Sequence, residues 1–332
     1  MPTLPILYIN NIKLEIILMK QILGKIKPYL RWVIIGATLF FLLKAFKDRW
    51  QEIVAVRING QGWLLLAIAL IITVTAHIWS GWVWTWILKA FQQPIATGWG
   101  LRVYLTTNIA KYLPGNVWHY YGRIQAIKKH GGSLEIASLI VILEPLLMAA
   151  AALLIALIGK ALGLIALSSN QGNLSLEILG LIVVLLGIHP RLLNPAIAIA
   201  SRLKGNPTEE KLTTYPLLPL LGEMGFLILR GTGFLFCLWA MVPPDPSQIP
   251  QLLTAFSFAW LLGLIVPGAP GGLGVFEATA IALLNNQNNQ EYAAAIVIGV
   301  ALYRAVSILA EALAAAGAWL METPKRDINK LK

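Results

Sequence analysis

Six apolar runs, each near the length a helix needs to cross a bilayer, decide most of what this chain can fold into. They fall near residues 30–46, 63–88, 134–158, 174–188, 217–242 and 292–321, and one crossing takes about 20 residues. Lipid offers no partner to open backbone, so spans of this kind are helices. The rest of the composition agrees: 58% of the 332 residues are hydrophobic and 12% charged, whereas a soluble domain carries about 25% charged residues. The fold class is an all-α polytopic membrane protein. This excludes a disordered chain, a nucleic-acid-binding domain and a secreted disulfide scaffold. The lone cysteine, Cys237, excludes a Cys-based metal site. The excess of 26 Lys and Arg over 15 Asp and Glu, +11, suits loops that face anionic headgroups.

Two further apolar stretches end abruptly. Residues 99–113 run into Pro114-Gly115, and 252–266 run into Pro267-Gly268-Ala269-Pro270-Gly271-Gly272-Leu273-Gly274. Proline removes a backbone donor and glycine loosens a helix, so both helices should stop there. Each break is followed by a helical segment, 117–129 and 275–285. The expectation is about six full spans plus two re-entrant helical hairpins, 99–129 and 252–285, eight or more hydrophobic helices in all.

Basic residues set the expected topology. Lys13, Lys20, Lys25, Lys27 and Arg31 precede the first span, and further clusters lie in 89–133, 190–215 and the tail after Met321, while 243–291 has none. The positive-inside rule then puts both termini in the cytoplasm. The loop 44–62, with Lys44, Lys47, Arg49 and Arg57, disagrees. In this layout a repeat over about 28–158 and another over about 174–321 have opposite orientation, the pattern of an inverted repeat with its site at the broken helices. The alternative is two ordinary kinked span pairs. Residues 19–324 form one transmembrane domain, with 325–332 a cytoplasmic tail. Residues 1–18 read as a dispensable extension, because Met19 opens a more natural start. The longest polar loop is 189–215.

Ionisable groups inside spans cost about 2.5–3.5 kcal/mol each, which makes them functional candidates. Here they are Glu144, Glu223, Arg230, Arg304 and Glu311, with Arg123 and Glu277 just after the breaks. Glu223 and Arg230 are seven apart, as are Arg304 and Glu311. Two turns separate such groups by about 10 Å, so each should find a partner on another helix. They are either ion pairs that hold the bundle or a path for a charged headgroup, and arginine suits phosphate through its planar fork. The glycines of 267–274 expose amides at the start of the next half-helix, a place for an anion, which Glu277 would cap, compete for or leave to pair with an arginine. Trp79, Trp82 and Trp86 suggest an interfacial belt, and His77 a hydrogen bond to a neighbour.

No catalytic residues stand out. Asp48, Asp245 and Asp327 are scattered, as are the four histidines, so neither a metal site nor a nucleophile is expected, and no cofactor.

Lys111-Tyr-Leu-Pro-Gly-Asn-Val-Trp118 with Gly122-Arg123, and Val266-Pro-Gly-Ala-Pro-Gly-Gly-Leu-Gly-Val-Phe-Glu-Ala278 with Tyr303-Arg304, resemble the lysylphosphatidylglycerol synthase transmembrane-region family. The resemblance runs from about Lys27 to Met321. The family includes the flippase half of the bacterial multiple peptide resistance factor. The resemblance implies a bundle in a bacterial plasma membrane that moves lipid between leaflets, with Arg123, Glu277 and Arg304 near the site. No aminoacyl-transferase domain follows Met321, so lysyl transfer is not expected, and Ala269-Pro270 departs from the family's loop.

The leading expectation is therefore a translocator of an anionic or otherwise charged lipid, with Arg123, Glu144, Glu223, Arg230, Glu277, Arg304 and Glu311 around the substrate. Pro114, Gly115, Pro267, Gly268, Pro270, Gly271, Gly272 and Gly274 would supply the breaks. Its partners would be membrane lipids, not nucleic acid. The alternatives are a non-transporting subunit of a lipid-modifying or glycosylating enzyme, and a transporter of small ions.

Overall fold

The computed structural model describes residues 58–93, 95–113, 116–164, 172–203, 211–241, 246–266, 272, 274–284 and 290–321. The expected span at 30–46, the extension 1–18, the discordant loop as far as Arg57, the tail 325–332, and Pro114, Gly115, Pro267, Gly268, Pro270 and Gly271 lie outside them.

The described residues form ten α-helices and no strand. They are α1 (Gly60–Ala90), α2 (Thr97–Asn108), α3 (Trp118–Lys129), α4 (Leu134–Ala161), α5 (Gly172–Gly187), α6 (Pro190–Leu203), α7 (Leu217–Trp239), α8 (Ile249–Ile265), α9 (Val275–Leu284) and α10 (Gln290–Leu320). Short 3₁₀ turns, Ile109–Tyr112 and Pro246–Gln248, extend α2 and precede α8. Asn59 and Ser133 start α1 and α4 by accepting from the amides of Gly62 and Ile136, as small polar N-caps do.

Five stretches are long and apolar enough to cross a membrane: Gly60–Ala90, Leu134–Ala161, Leu217–Trp239, Pro246–Ile265 and Ala295–Leu320. The fold is thus that of a multi-pass membrane protein, with two departures from the expected spans. The run at 174–188 forms only the 16-residue α5, about 24 Å at 1.5 Å per residue. The run before the second break is longer than its apolar core suggests, because its 3₁₀ lead-in starts at Pro246, and it reaches spanning length. A third departure is α6, which fills much of the expected polar loop. Asn194 on α6 donates to the Leu212 carbonyl at 2.9 Å and accepts from its amide at 2.9 Å, tying the segment before α7 back to the bundle.

The centre of the bundle is the antiparallel pair α1 and α7. Gly62 faces Ala240, Thr73 faces Gly233, Trp79 faces Gly225, and Val83 and Trp86 face Gly222. Gly222, Gly225 and Gly233 share one face of α7, and small residues allow helix backbones to approach closely in lipid. A Cβ on Gly222 would stand 2.6 Å from Val83 Cγ2 and 2.8 Å from Trp86 Cζ3. Gly222→Val should therefore cost about 1–3 kcal/mol, the usual penalty of overpacking, read as a lower thermal midpoint in detergent. An unchanged midpoint would mean that the pair is loosely packed.

The same contact corrects the tryptophan belt. Trp79 donates its indole N–H to the Gly222 carbonyl at 2.8 Å and packs edge-on against Trp86. Of the three, Trp82 alone is exposed. The glycine face of α7 makes room for the other two rings.

Between α1 and α4 the chain forms a hairpin. Ser80 meets Tyr104 and Thr85 meets Gly100, so α2 runs back along α1. Thr107 meets Gly122 and Trp99 meets His130, so α3 returns along α2. At 12 residues each, α2 and α3 are about 18 Å long, and both feet lie at the end of the bundle where α1 stops and α4 starts. A second hairpin, α8 and α9, lies between α7 and α10, where Gly263 of α8 meets Gly272 and Phe276 at the start of α9. The first hairpin has its feet where α1 stops, the second follows the end of α7, which is antiparallel to α1, and residues from both tips line one cavity.

Candidate functional site

The two tips meet around one cavity of about 120 Å³, room for several waters or a group the size of phosphate. The first hairpin lines it with Tyr104, Asn108, Lys111, Asn116, His119, Tyr120 and Arg123; the second with Trp260, Gly263, Leu264, Gly272 and Phe276. Glu144, Pro145 and Met148 of α4, His77 of α1, Phe226 and Arg230 of α7, and Tyr303 and Arg304 of α10 complete it. A polar chamber thus sits inside an apolar bundle.

Its charges fall into three groups. Arg123, 1% exposed, donates Nη1 to Glu144 in a buried ion pair. Its Nε and Nη2 reach Thr107 Oγ1 and Asn108 Oδ1, each at 3.3 Å. The guanidinium also lies 3.8 Å over the Tyr104 ring and 5.7 Å from that of Trp84, an arrangement the ring quadrupoles favour. This group fastens the second arm of the first hairpin to α4.

The second group fastens the other hairpin to α10. Arg304 Nε donates to Glu277 Oε1 at 2.6 Å, and Nη2 reaches the Gly272 carbonyl at 3.3 Å. Glu277 Oε2 accepts the Gly274 amide at 2.7 Å, so the carboxylate caps α9 and pairs with Arg304 at once. The anion-ready helix start anticipated from the glycines is thereby filled by the chain's own Glu277. Gly272 and Gly274 take φ of +73° and +87°, conformations that favour glycine. A Cβ on Gly272 would also stand 3.1 Å from the Gly263 carbonyl oxygen, so a larger residue would press the tip away from α8.

The third group is central. Lys111, in the 3₁₀ turn at the first tip, donates to Glu311 Oε1 of α10 at 2.7 Å. Arg230 places Nη1 2.9 Å from His77 Nε2 and donates Nη2 to Ser307 at 2.8 Å, with its guanidinium 5.3 Å from the Tyr303 ring. Glu311 lies 3.9 Å from Arg230 and 3.4 Å from His77. Of the four cations lining the cavity, Arg230 is the one with the longest ion-pair contact, 3.9 Å to Glu311, whose oxygen Lys111 already holds at 2.7 Å.

The candidates singled out in the sequence therefore separate. Arg123, Glu144, Arg230 and Arg304 line the cavity; Glu277 and Glu311 stand behind as partners; Glu223 is fully buried and does not line it. Lys111, His77 and Ser307 enter the charged centre, although nothing in their sequence neighbourhoods marks them as joined. Lys111 and Glu311 are 200 residues apart, His77 and Arg230 153. Among the described residues, no group of three His, Cys, Asp or Glu side chains could hold a metal ion.

Fold and cavity together define a multi-pass, all-helical membrane protein with ion pairs buried at its centre. The family model for the lysylphosphatidylglycerol synthase TM region matches residues 30–313, and the chain belongs to that family, a membrane domain of lipid-related proteins. No match to a curated protein was found.

Proposed function

We propose that this protein is a lipid translocator that carries an anionic or otherwise charged headgroup through the bundle while the acyl tails stay in the bilayer. The observation that carries the reading is the central cavity, where Lys111, Arg123, Arg230 and Arg304 face three directly paired carboxylates, Glu144, Glu277 and Glu311. The excess positive charge lies on Arg230, whose donors suit a phosphate oxygen. Charged groups at such depth are costly and mark substrate paths. The volume fits a headgroup fragment and not a whole lipid.

The hairpins act as re-entrant elements of an inverted repeat in this reading. Support comes from the packing. α4 packs on α8 and α10 on α2; α10 packs on α1 and α4 on α7. Every one of these pairings survives exchange of α1–α4 for α7–α10. Even the ion pairs correspond with sign reversed, Arg123 to Glu144 in one half and Glu277 to Arg304 in the other. Alternating access would then be a rocking of the two halves about the cavity. The protein would lie in a plasma membrane with both termini cytoplasmic and perform no covalent chemistry itself.

The test is headgroup-labelled phosphatidylglycerol in proteoliposomes, with an external quencher. Quenching beyond the half exposed in empty vesicles is the expected result. No extra quenching with anionic, zwitterionic or polyprenyl lipids would overturn the reading and favour a non-transporting subunit of a lipid-modifying enzyme, to be sought by copurification.

A further inference from the structure

Glu223 is the one carboxylate of the buried set that the ion pairs leave out. It sits on the α1-facing half of α7, 0% exposed, and among the described residues neither of its oxygens has a hydrogen-bond partner. Its electrostatic neighbours are Glu144 and Arg123, and Tyr104 lies in its field. An ionised carboxylate in such a place would be buried without a counter-ion of its own, beside a second carboxylate that already holds the arginine. Burial of an unpaired charge is far more costly than burial of the neutral acid.

We propose that Glu223 is a proton-binding site, and that Arg123 couples it to the cavity. With the proton on Glu223, Arg123 stays with Glu144 at the cavity wall and is free to exchange that partner for a headgroup anion. When the Glu223 O–H bond breaks and its proton leaves to solvent by way of the Arg123–Glu144 wall between it and the cavity, the carboxylate left behind draws Arg123 inward, away from the headgroup. Proton and anion therefore bind together. Among the described residues, the cations on the other elements packed on α7 are engaged elsewhere or distant. Lys160 of α4 stands 16 residues beyond Glu144 on that helix, about 24 Å along its axis. His77 of α1 is bonded to Arg230, and Lys89 of the same helix is exposed. On α10, Arg304 is held by Glu277 and Glu311 by Lys111. Helix α8 has no ionisable residue, and Arg230, two turns along α7 itself, is engaged by His77 and Ser307.

The proton site stands apart from the translocator reading, whereas the coupling rests on it, and the experiment separates the two. Infrared difference spectra of the full chain in lipid, taken from mildly acidic to mildly alkaline buffer, report the carbonyl stretch of protonated carboxylic acids. The expected result is a band in the wild type that shifts in D2O, bleaches as the pH rises and is missing from Glu223→Gln. Absence of such a band from the wild type, which needs no variant to see, overturns the proposal. So does a band of full size in Glu223→Gln.

In proteoliposomes carrying labelled phosphatidylglycerol, the wild-type rate should change several-fold when a pH gradient is imposed, and that response should be lost in Glu223→Gln, whose amide mimics the protonated acid. A response that persists in the variant overturns the coupling. The infrared band without lipid movement at any pH upholds the proton site and sinks the translocator reading.

Discussion

Arg230→Leu should slow lipid movement in proteoliposomes by about 10- to 100-fold, the loss expected when one charge-assisted hydrogen bond of about 1.5–3 kcal/mol is removed from a bound anion. The protein should still fold. Arg230 is buried, yet its short contacts are to His77 and Ser307, so its removal strands no carboxylate: Glu311 keeps Lys111 at 2.7 Å. The guanidinium stands 5.3 Å from the Tyr303 ring, a contact that leucine gives up without stranding a charge. The reading fails if Arg230→Leu moves lipid at the wild-type rate. It also fails if the variant is lost from detergent extracts, because Arg230 would then be a structural group and not the place where a headgroup is received. Arg230→Lys discriminates further: a point charge on a flexible stem replaces a planar fork, and partial activity would indicate that charge more than geometry holds the anion.

The broken helices were legible in the sequence because proline and glycine act locally. A missing amide or a missing Cβ changes the helix wherever the residue falls, and α2, α3, α8 and α9 begin or end within a few residues of the expected points. The buried charges were legible as a set for a similar reason, since the cost of burying Arg123 or Glu311 does not depend on which partner meets it. Their pairing was not legible. Helical spacing excluded a bond between Arg304 and Glu311, but which hairpin reaches which helix is decided by the antiparallel packing of α1 on α7, and no residue near Lys111 announces Glu311. Local reasoning also failed at the tryptophans. Their spacing on α1 is the same whether they face lipid or a glycine stripe, and Gly222 on another helix decides the matter. The helical α6 has the same lesson: a polar segment with Leu192, Leu193 and Ile199 at helical spacing still forms a helix.

Arg304→Leu should behave in the opposite way to Arg230→Leu, with loss of folded protein preceding any loss of transport. Arg304 and Glu277 are both nearly buried, and Nε donates to the carboxylate at 2.6 Å. Taking away one member of a buried pair costs about 3–5 kcal/mol, because the other charge is left without compensation, and that is a large part of what holds a small bundle together. The stranded group would be Glu277, whose second oxygen caps the α9 amide of Gly274, so the tip of the second hairpin should loosen first. The variant that separates charge from contact is Arg304→Leu with Glu277→Gln. Glutamine keeps an oxygen for the Gly274 amide but carries no charge to strand, so the double variant should recover most of the thermal midpoint lost by Arg304→Leu alone. A double variant no more stable than the single one would show that the contact of Arg304 with the Gly272 carbonyl matters more than its charge. An Arg304→Leu protein of wild-type stability that moves no lipid would instead put Arg304 on the headgroup's path, and would make the sign-reversed pairs in the two halves alternate binding groups and not pins.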